Sequence, residues 1–183
     1  MNLSIIVISI IVIVILYIWS VYNNLARGKV RIKDAFSGID VQLKRRVDLI
    51  PNLVETVKGY AKHEKELLEN VTKARTSLMK ADSLAQKAAS NNVLSDTLKS
   101  LFAVAENYPD LKANQNFAKL QEELSDTENK IAYSRQFYNS NVRDFNTTLA
   151  TFPSGFFGRM FSFKEEEFFA TTEEERKAVK VSF

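Results

Sequence analysis

The chain has 183 residues, a formal charge of +3 and no cysteine. Acids and bases are interspersed, a balance that excludes nucleic acid as the expected partner. The missing thiols exclude disulfides, thiolate catalysis and cysteine metal sites. Five glycines and three prolines suit long helices joined by few loops.

No charged side chain occurs before Arg27, and the run from Ile5 to Ile18 is apolar apart from Ser9. Leu3 to Tyr22 as a helix spans about 30 Å, the thickness of a bilayer core. Isoleucine and valine dominate this run. Lipid offers the backbone no other partner, so the helix is expected despite its β-branched content. Ile5, Ile8, Val12, Ile15, Trp19 and Tyr22 mark the anchor, and Tyr17, Trp19 and Tyr22 gather at one end, as rings at the headgroup level do. The alternative is a cleaved signal peptide. It needs an upstream basic region and a small-residue cleavage site, and the sequence has neither. Arg27, Lys29, Arg31 and Lys33 follow at once. The positive-inside rule then predicts a single-pass protein of the cell membrane, N-terminus outside and soluble domain in the cytoplasm.

About 160 residues remain after the anchor, enough for one domain. From Phe36 the apolar positions step by three and four. One row is Phe36, Leu43, Ile50, Val57, Glu64, Val71 and Leu78; the other is Ile39, Arg46, Leu53, Tyr60, Leu67, Ala74 and Ala81. This heptad pattern predicts one long helix from the membrane to about Ser90. Pro51 falls inside it. Because Ile50, Leu53 and Val57 stay in phase, the proline predicts a kink rather than a hairpin. Ser90-Asn91-Asn92 reads as a turn, with Ser95 or Asp96 capping a shorter helix that ends near Asn107. Tyr108-Pro109-Asp110 breaks the chain again, and Asn114 or Asn116 starts the next helix. There Phe117, Leu124, Ile131, Tyr138, Phe145 and Phe152 recur every seventh residue beside Leu120, up to Pro153-Ser154-Gly155.

Eight of the thirteen phenylalanines lie between Phe152 and Phe183. Phe156, Phe157, Met160, Phe161 and Phe163 suit one or two amphipathic helical turns. Glu165-Glu166-Glu167 and Glu173-Glu174-Glu175 follow, with Phe168 and Phe169 between them. The rings either pack back onto the bundle or form an interaction surface for a membrane interface or another copy of the chain. The acidic runs argue against the whole tail lying on an anionic leaflet.

The expected fold is therefore all-α: a transmembrane helix, then an elongated up-and-down antiparallel bundle whose first long helix is kinked at Pro51. Its parts are a short N-terminal segment (1–4), the anchor (5–22), the bundle (23–152) and the Phe-rich tail with acidic runs (153–183). No site for chemistry stands out. His63 is the sole histidine, so neither a di-iron bundle nor a zinc site has enough ligands. No nucleophile elbow or phosphate-binding glycine loop is present. The expectation is a non-enzyme with no cofactor, no metal and no small-molecule substrate. Arg45, Arg46, Asp48 and Glu64 are instead candidates for fixing register or making a protein contact. Arg46 and Glu64 fall on the stripe. A buried charge needs a partner, for which Asp126, Glu128 and Asp144 are candidates; otherwise Arg46 snorkels along the stripe.

Ile39-Asp40-Val41-Gln42-Leu43-Lys44-Arg45-Arg46-Val47-Asp48-Leu49-Ile50-Pro51-Asn52-Leu53-Val54 closely resembles the signature of the LemA family, as does Val57-Lys58-Gly59-Tyr60-Ala61 with His63-Glu64. Tyr22-Asn23-Asn24-Leu25 at the start is similar too. So are Tyr138-Asn139, Val142-Arg143-Asp144-Phe145-Asn146, Phe152-Pro153, Phe161-Ser162-Phe163-Lys164, Phe168-Phe169 and Val181-Ser182-Phe183 further on. The resemblance implies a bacterial membrane protein with one anchor and a helical bundle, and it carries over no catalytic residue. Together these readings predict a membrane-anchored scaffold, with membrane lipid and further copies of itself as partners. The alternative is an adaptor that presents the bundle to a different protein, such as a membrane protease or signalling complex.

Overall fold

The computed structural model describes residues 3–169, and among these every regular element is helical. Six helices follow in order: α1 (Leu3–Tyr60), α2 (Lys65–Met79), α3 (Leu84–Ala105), α4 (Pro109–Lys112), α5 (Gln115–Ala150) and α6 (Ser154–Met160). The chain divides into two compact units. Among the described residues, one comprises 3–37 and 136–168, the other 38–135 with 169. Helices α1 and α5 contribute a stretch to each.

The second unit is an up-and-down four-helix bundle. Arg75 of α2 reaches Val47 of α1, so α2 runs back along α1. Lys87 of α3 meets Asp40, Asn91 meets Arg46, and Tyr108, beyond the end of α3, meets Glu64; α3 therefore ascends beside α1. Asn114 binds Tyr60 and Glu128 binds Arg46, so α5 descends. Each helix turns one apolar stripe inward, as bundle packing requires. The core takes Ile39, Leu43, Ile50 and Leu53 from α1, Leu68, Val71 and Leu78 from α2, Leu94, Leu98 and Leu101 from α3, and Phe117, Leu124 and Ile131 from α5.

The first long helix does not reach Ser90. It ends at Tyr60, the chain reverses over residues 61–64, and a second break falls at 80–83. The first turn has no proline or glycine of its own. It is held by tertiary bonds: the Tyr108 hydroxyl donates to Glu64 (2.7 Å), and Asn114 donates to the Tyr60 hydroxyl (2.8 Å). The stripe departs from expectation at the reversal and returns to phase at Val71, Ala74, Leu78 and Ala81, all buried. Ala61 and Leu68 are buried where Tyr60 and Leu67 were expected. The second break is closed by a capping box: the Ser83 hydroxyl accepts from the Gln86 amide while the Gln86 side chain accepts from the Ser83 amide. Ser90-Asn91-Asn92 is thus helix interior, and Ser95 is no cap. Asn114 does start α5, its side-chain oxygen accepting from the Asn116 and Phe117 amides.

Pro51 lies within α1, which continues beyond it to Tyr60. A proline has no N–H for the carbonyl four residues back. That carbonyl belongs to Val47, and the Arg75 Nε of α2 donates to it at 3.0 Å. A side chain from the neighbouring helix thus fills the gap in the ladder.

In the first unit, α1 and α5 run antiparallel. Gly28 faces the Phe145 ring so closely that a Cβ would come within 2.8 Å, and Phe36 lies against Tyr138 with ring centres 6.0 Å apart. Val21, Leu25, Ile32, Val142, Phe145 and Leu149 fill the seam. The stripe of α5 does not extend to Phe152. The helix stops at Ala150, and Phe152, beyond it, is 88% exposed.

Candidate functional site

Helix α1 contains a stretch long and apolar enough to cross a membrane, with its side chains facing outward rather than into a core. Ile5, Ile8, Val12, Ile15, Trp19 and Tyr22 are all exposed along it. At its far end the chain brings α6 alongside. The Phe157 ring meets Tyr17 (6.1 Å between centres), Phe161 meets Tyr22 (5.3 Å), and Phe163 lies between Tyr22 (5.8 Å) and Phe145 (6.3 Å). These edge-on arrangements are the favoured geometry for aromatic pairs.

Two glycines allow this approach. A Cβ on Gly155 would sit 2.1 Å from the Leu149 carbonyl oxygen, and one on Gly158 would meet Leu149 Cδ2 at 2.6 Å and Leu25 Cδ1 at 3.0 Å. Helix α6 ends in a Schellman motif: the Phe163 amide donates to Gly158 and the Ser162 amide to Arg159, each at 3.0 Å. Ser162 takes the left-handed conformation (φ 62°) usually given to glycine.

Beyond Ser162 the chain runs back along α5. The Asn146 side chain clasps residue 166 at two points, donating to its carbonyl and accepting from its amide, both at 2.9 Å. The Tyr138 hydroxyl donates to the Glu167 carbonyl (2.9 Å), and Lys29 pairs with the Glu166 carboxylate (3.1 Å). Burial pushes the Tyr138 phenol above its usual value, with the carboxylates of Glu166 and Glu167 adding to the rise. Of the five residues singled out around α6, Phe157 and Phe163 are half-buried in this arrangement and Phe161 lies at its margin. Phe156 and Met160 face away. Phe168 is exposed, whereas Phe169 is buried in the second unit, where the Arg135 guanidinium lies 5.2 Å from its ring centre. The acidic run Glu173–Glu175 and the closing Val181-Ser182-Phe183 lie outside the described residues.

In the four-helix unit the register candidates separate. Arg46 is 3% exposed. Its Nη1 pairs with Glu128 and also donates to Asn91 Oδ1 (2.8 Å) and to the Ser95 hydroxyl (3.0 Å), which in turn donates to Glu128 (3.1 Å). Four side chains from three helices thus form one network around the Arg46 cation. Burial lowers the pKa of Arg46 while Glu128 opposes the fall, and the group stays cationic. Of the three acids considered as partners, Glu128 is the one used. Asn91 and Ser95 carry no sequence signal of a buried polar role, since their residue types suit a turn and a helix cap. Arg45 and Asp48 are exposed, with Arg45 3.9 Å from Asp126 and Asp48 3.5 Å from Lys44. Such surface pairs contribute little. Glu64 is half-buried in the first turn and holds Tyr108. His63 is exposed beside it, and among the described residues no cluster of acids and histidine is placed to hold a metal ion.

These features define a class: a membrane-associated, all-α bundle protein with one N-terminal apolar helix. Residues 35–183 match the LemA family, and the chain belongs to it. It is similar to Protein LemA of Metamycoplasma hominis, with 28% identity over 161 residues, covering 87% of this chain and 74% of that protein. It is also similar to magnetosome protein MamQ of Magnetospirillum gryphiswaldense, at 21% identity over 159 residues, and to magnetosome protein MamQ 2 of Paramagnetospirillum magneticum, at 23%. Both alignments cover 73% of this chain, which spans 58% of either magnetosome protein.

Proposed function

We propose that this chain is a non-enzymatic, membrane-anchored helical scaffold that self-associates at the cell membrane, with its N-terminus outside and its bundle in the cytoplasm. The observation that carries the reading is the continuity of α1. A single helix, Leu3–Tyr60, begins as an apolar, outward-facing segment and ends as the first helix of a bundle. The basic run Arg27, Lys29, Arg31 and Lys33 supports the orientation. Anchoring supports lateral association, because it confines copies to two dimensions and raises their effective concentration. The network around the buried Arg46 and Asn91 supports a structural role, since both are engaged, with Ser95 and Glu128, in one set of bonds. Light scattering on the detergent-solubilised full-length protein tests the proposal. The expected result is a mass above the monomer that rises with concentration, and a monomer throughout overturns it.

One observation favours the second reading, an adaptor for a different protein such as a membrane protease or signalling complex. A groove of about 740 Å³ between α1 and α2 has an apolar floor of Val54, Ala61 and Leu68 and a rim that includes Lys58, Lys62, Lys65 and Lys73. Its charge suits an acidic amphipathic segment of a partner. Crosslinking in cells separates the two: self-crosslinks favour the scaffold, and one recurring heterologous partner favours the adaptor.

A further inference from the structure

We propose that α6 is a second, peripheral membrane contact, which lays the face carrying Phe152, Phe156 and Met160 into the lipid interface beside the anchor. This rests on the reading of α1 as a membrane span and adds a lipid-binding surface to it. The first argument is depth. If Leu3 to Tyr22 crosses the bilayer core, Tyr22 lies at its edge, and Tyr17 lies about 8 Å further in at 1.5 Å per residue. Phe157 is held against Tyr17, and Phe161 and Phe163 against Tyr22. Helix α6 is therefore fixed at the level of the anchor's last two turns, where amphipathic rings meet the headgroups.

The second argument is direction. Gly155 and Gly158 form the inner side of α6, pressed against Leu149 and Leu25. Phe156 and Met160, four residues apart on the helix, form the outer side, and Phe152 precedes them in the adjoining turn. All three are more than half exposed. They form an outward apolar surface, with the Phe156 ring edge-on to Phe157 at 5.3 Å between centres. Phe157 in turn meets Tyr17, so this surface adjoins the anchor, whose own surface is covered by lipid.

The third argument is charge. From Phe152 to Phe163 the sequence has no acid and one base, Arg159. The acids begin at Glu165, after the left-handed turn at Ser162 has reversed the chain. Residue 166 is clasped by Asn146 and paired with Lys29, seven residues past Tyr22 and so about 10 Å from the bilayer edge. The fold thus separates an apolar tip from the acidic run that would be repelled by anionic lipid.

The test uses the full-length protein, which lacks cysteine, with single substitutions Phe156→Cys, Met160→Cys, Ile11→Cys or Asn52→Cys, each labelled with an environment-sensitive fluorophore. The variants are reconstituted into vesicles of phosphatidylcholine and phosphatidylglycerol containing doxyl lipids spin-labelled high or low on the acyl chain. The expected result is quenching at positions 156 and 160 several-fold above that at 52, stronger for the shallow spin label, with position 11 quenched most by the deep one. Quenching at 156 and 160 by aqueous iodide alone, with position 11 still quenched by lipid, overturns the proposal and leaves the anchor standing. Protection of 156 and 160 from both quenchers places a second copy on this face and also overturns it. If position 11 escapes the lipid quenchers, the anchor reading falls and the proposal falls with it.

Discussion

The Arg46 network predicts an asymmetry between two variants of one ion pair. Arg46 is 3% exposed, whereas the Glu128 side chain is 45% exposed. Glu128→Gln keeps the shape and an acceptor for Ser95 but leaves a buried cation without its counter-charge. Breaking a fully buried pair this way costs about 3–5 kcal/mol. Glu128 is half in water and Asn91 and Ser95 remain as acceptors, so the expected cost is about 2 kcal/mol. Arg46→Met fills similar space, removes the buried charge and returns Glu128 to water. Its main penalty is the Asn91 oxygen left unpaired at 1% exposure, about 1–3 kcal/mol. Against this, the cation's own desolvation disappears, and with it an Arg46 Nε that has no hydrogen-bond partner among the described residues. The expected net cost is about 1 kcal/mol. The assay is urea unfolding of the full-length protein in detergent, followed by far-ultraviolet circular dichroism. The double variant should be more stable than Glu128→Gln alone, because it has no orphaned cation. Additive losses, or a larger loss from Arg46→Met than from Glu128→Gln, refute the reasoning.

The Val47 carbonyl predicts a coupling across helices. Arg75→Met should cost about 1–2 kcal/mol by leaving that carbonyl unpaired, but under about 0.5 kcal/mol in a Pro51→Ala background, where the restored N–H bonds it; equal costs in both backgrounds refute the account. Among glycines, Gly155→Ala should destabilise by about 2–3 kcal/mol through its clash with the Leu149 carbonyl. Gly59→Ala, on an open face of α1, should stabilise by about 0.5–1 kcal/mol, and thermal unfolding reads both. At alkaline pH the Tyr138 and Tyr108 phenols matter. Burial raises the first, and the hydrogen bond to Glu64 chiefly raises the second, both above the ordinary 10.0. Their protonated forms are favoured by folding, so this stability is complete below the unfolded value and is lost as pH rises through the folded ones. The unfolding midpoint should fall above about pH 10, less steeply in Tyr138→Phe; an unchanged slope in that variant and in Tyr108→Phe counts against the assignment.

What the sequence reveals depends on whether a signal is local. The apolar segment is legible because every residue from Ile5 to Ile18 except Ser9 carries the same apolar signal. The start of α5 is legible because Asn114 caps it with its own side chain. The Ser83–Gln86 box was equally local and is a signal the heptad count concealed. The reversal at 61–64 is different: two distant residues, Tyr108 and Asn114, hold it, and the seven-residue spacing runs on across it. Arg46 could be recognised as a buried charge that needed a partner. Its choice of Asn91 and Ser95 depends on α3 lying alongside α1, and no pattern within α3 announces that.

The Asn146 clasp has a consequence for how the tail can change over generations. It holds residue 166 by two main-chain atoms, and Tyr138 holds the next residue by its carbonyl. These bonds do not distinguish one residue type from another, apart from proline at 166, which has no amide hydrogen. The path of the chain at 166 and 167 is therefore set by main-chain bonds, and a change of side chain at 166 forfeits the pair with Lys29 without undoing the clasp. Asn146→Asp would remove the donor and set a carboxylate oxygen against the carbonyl of residue 166, leaving only the bond accepted from its amide.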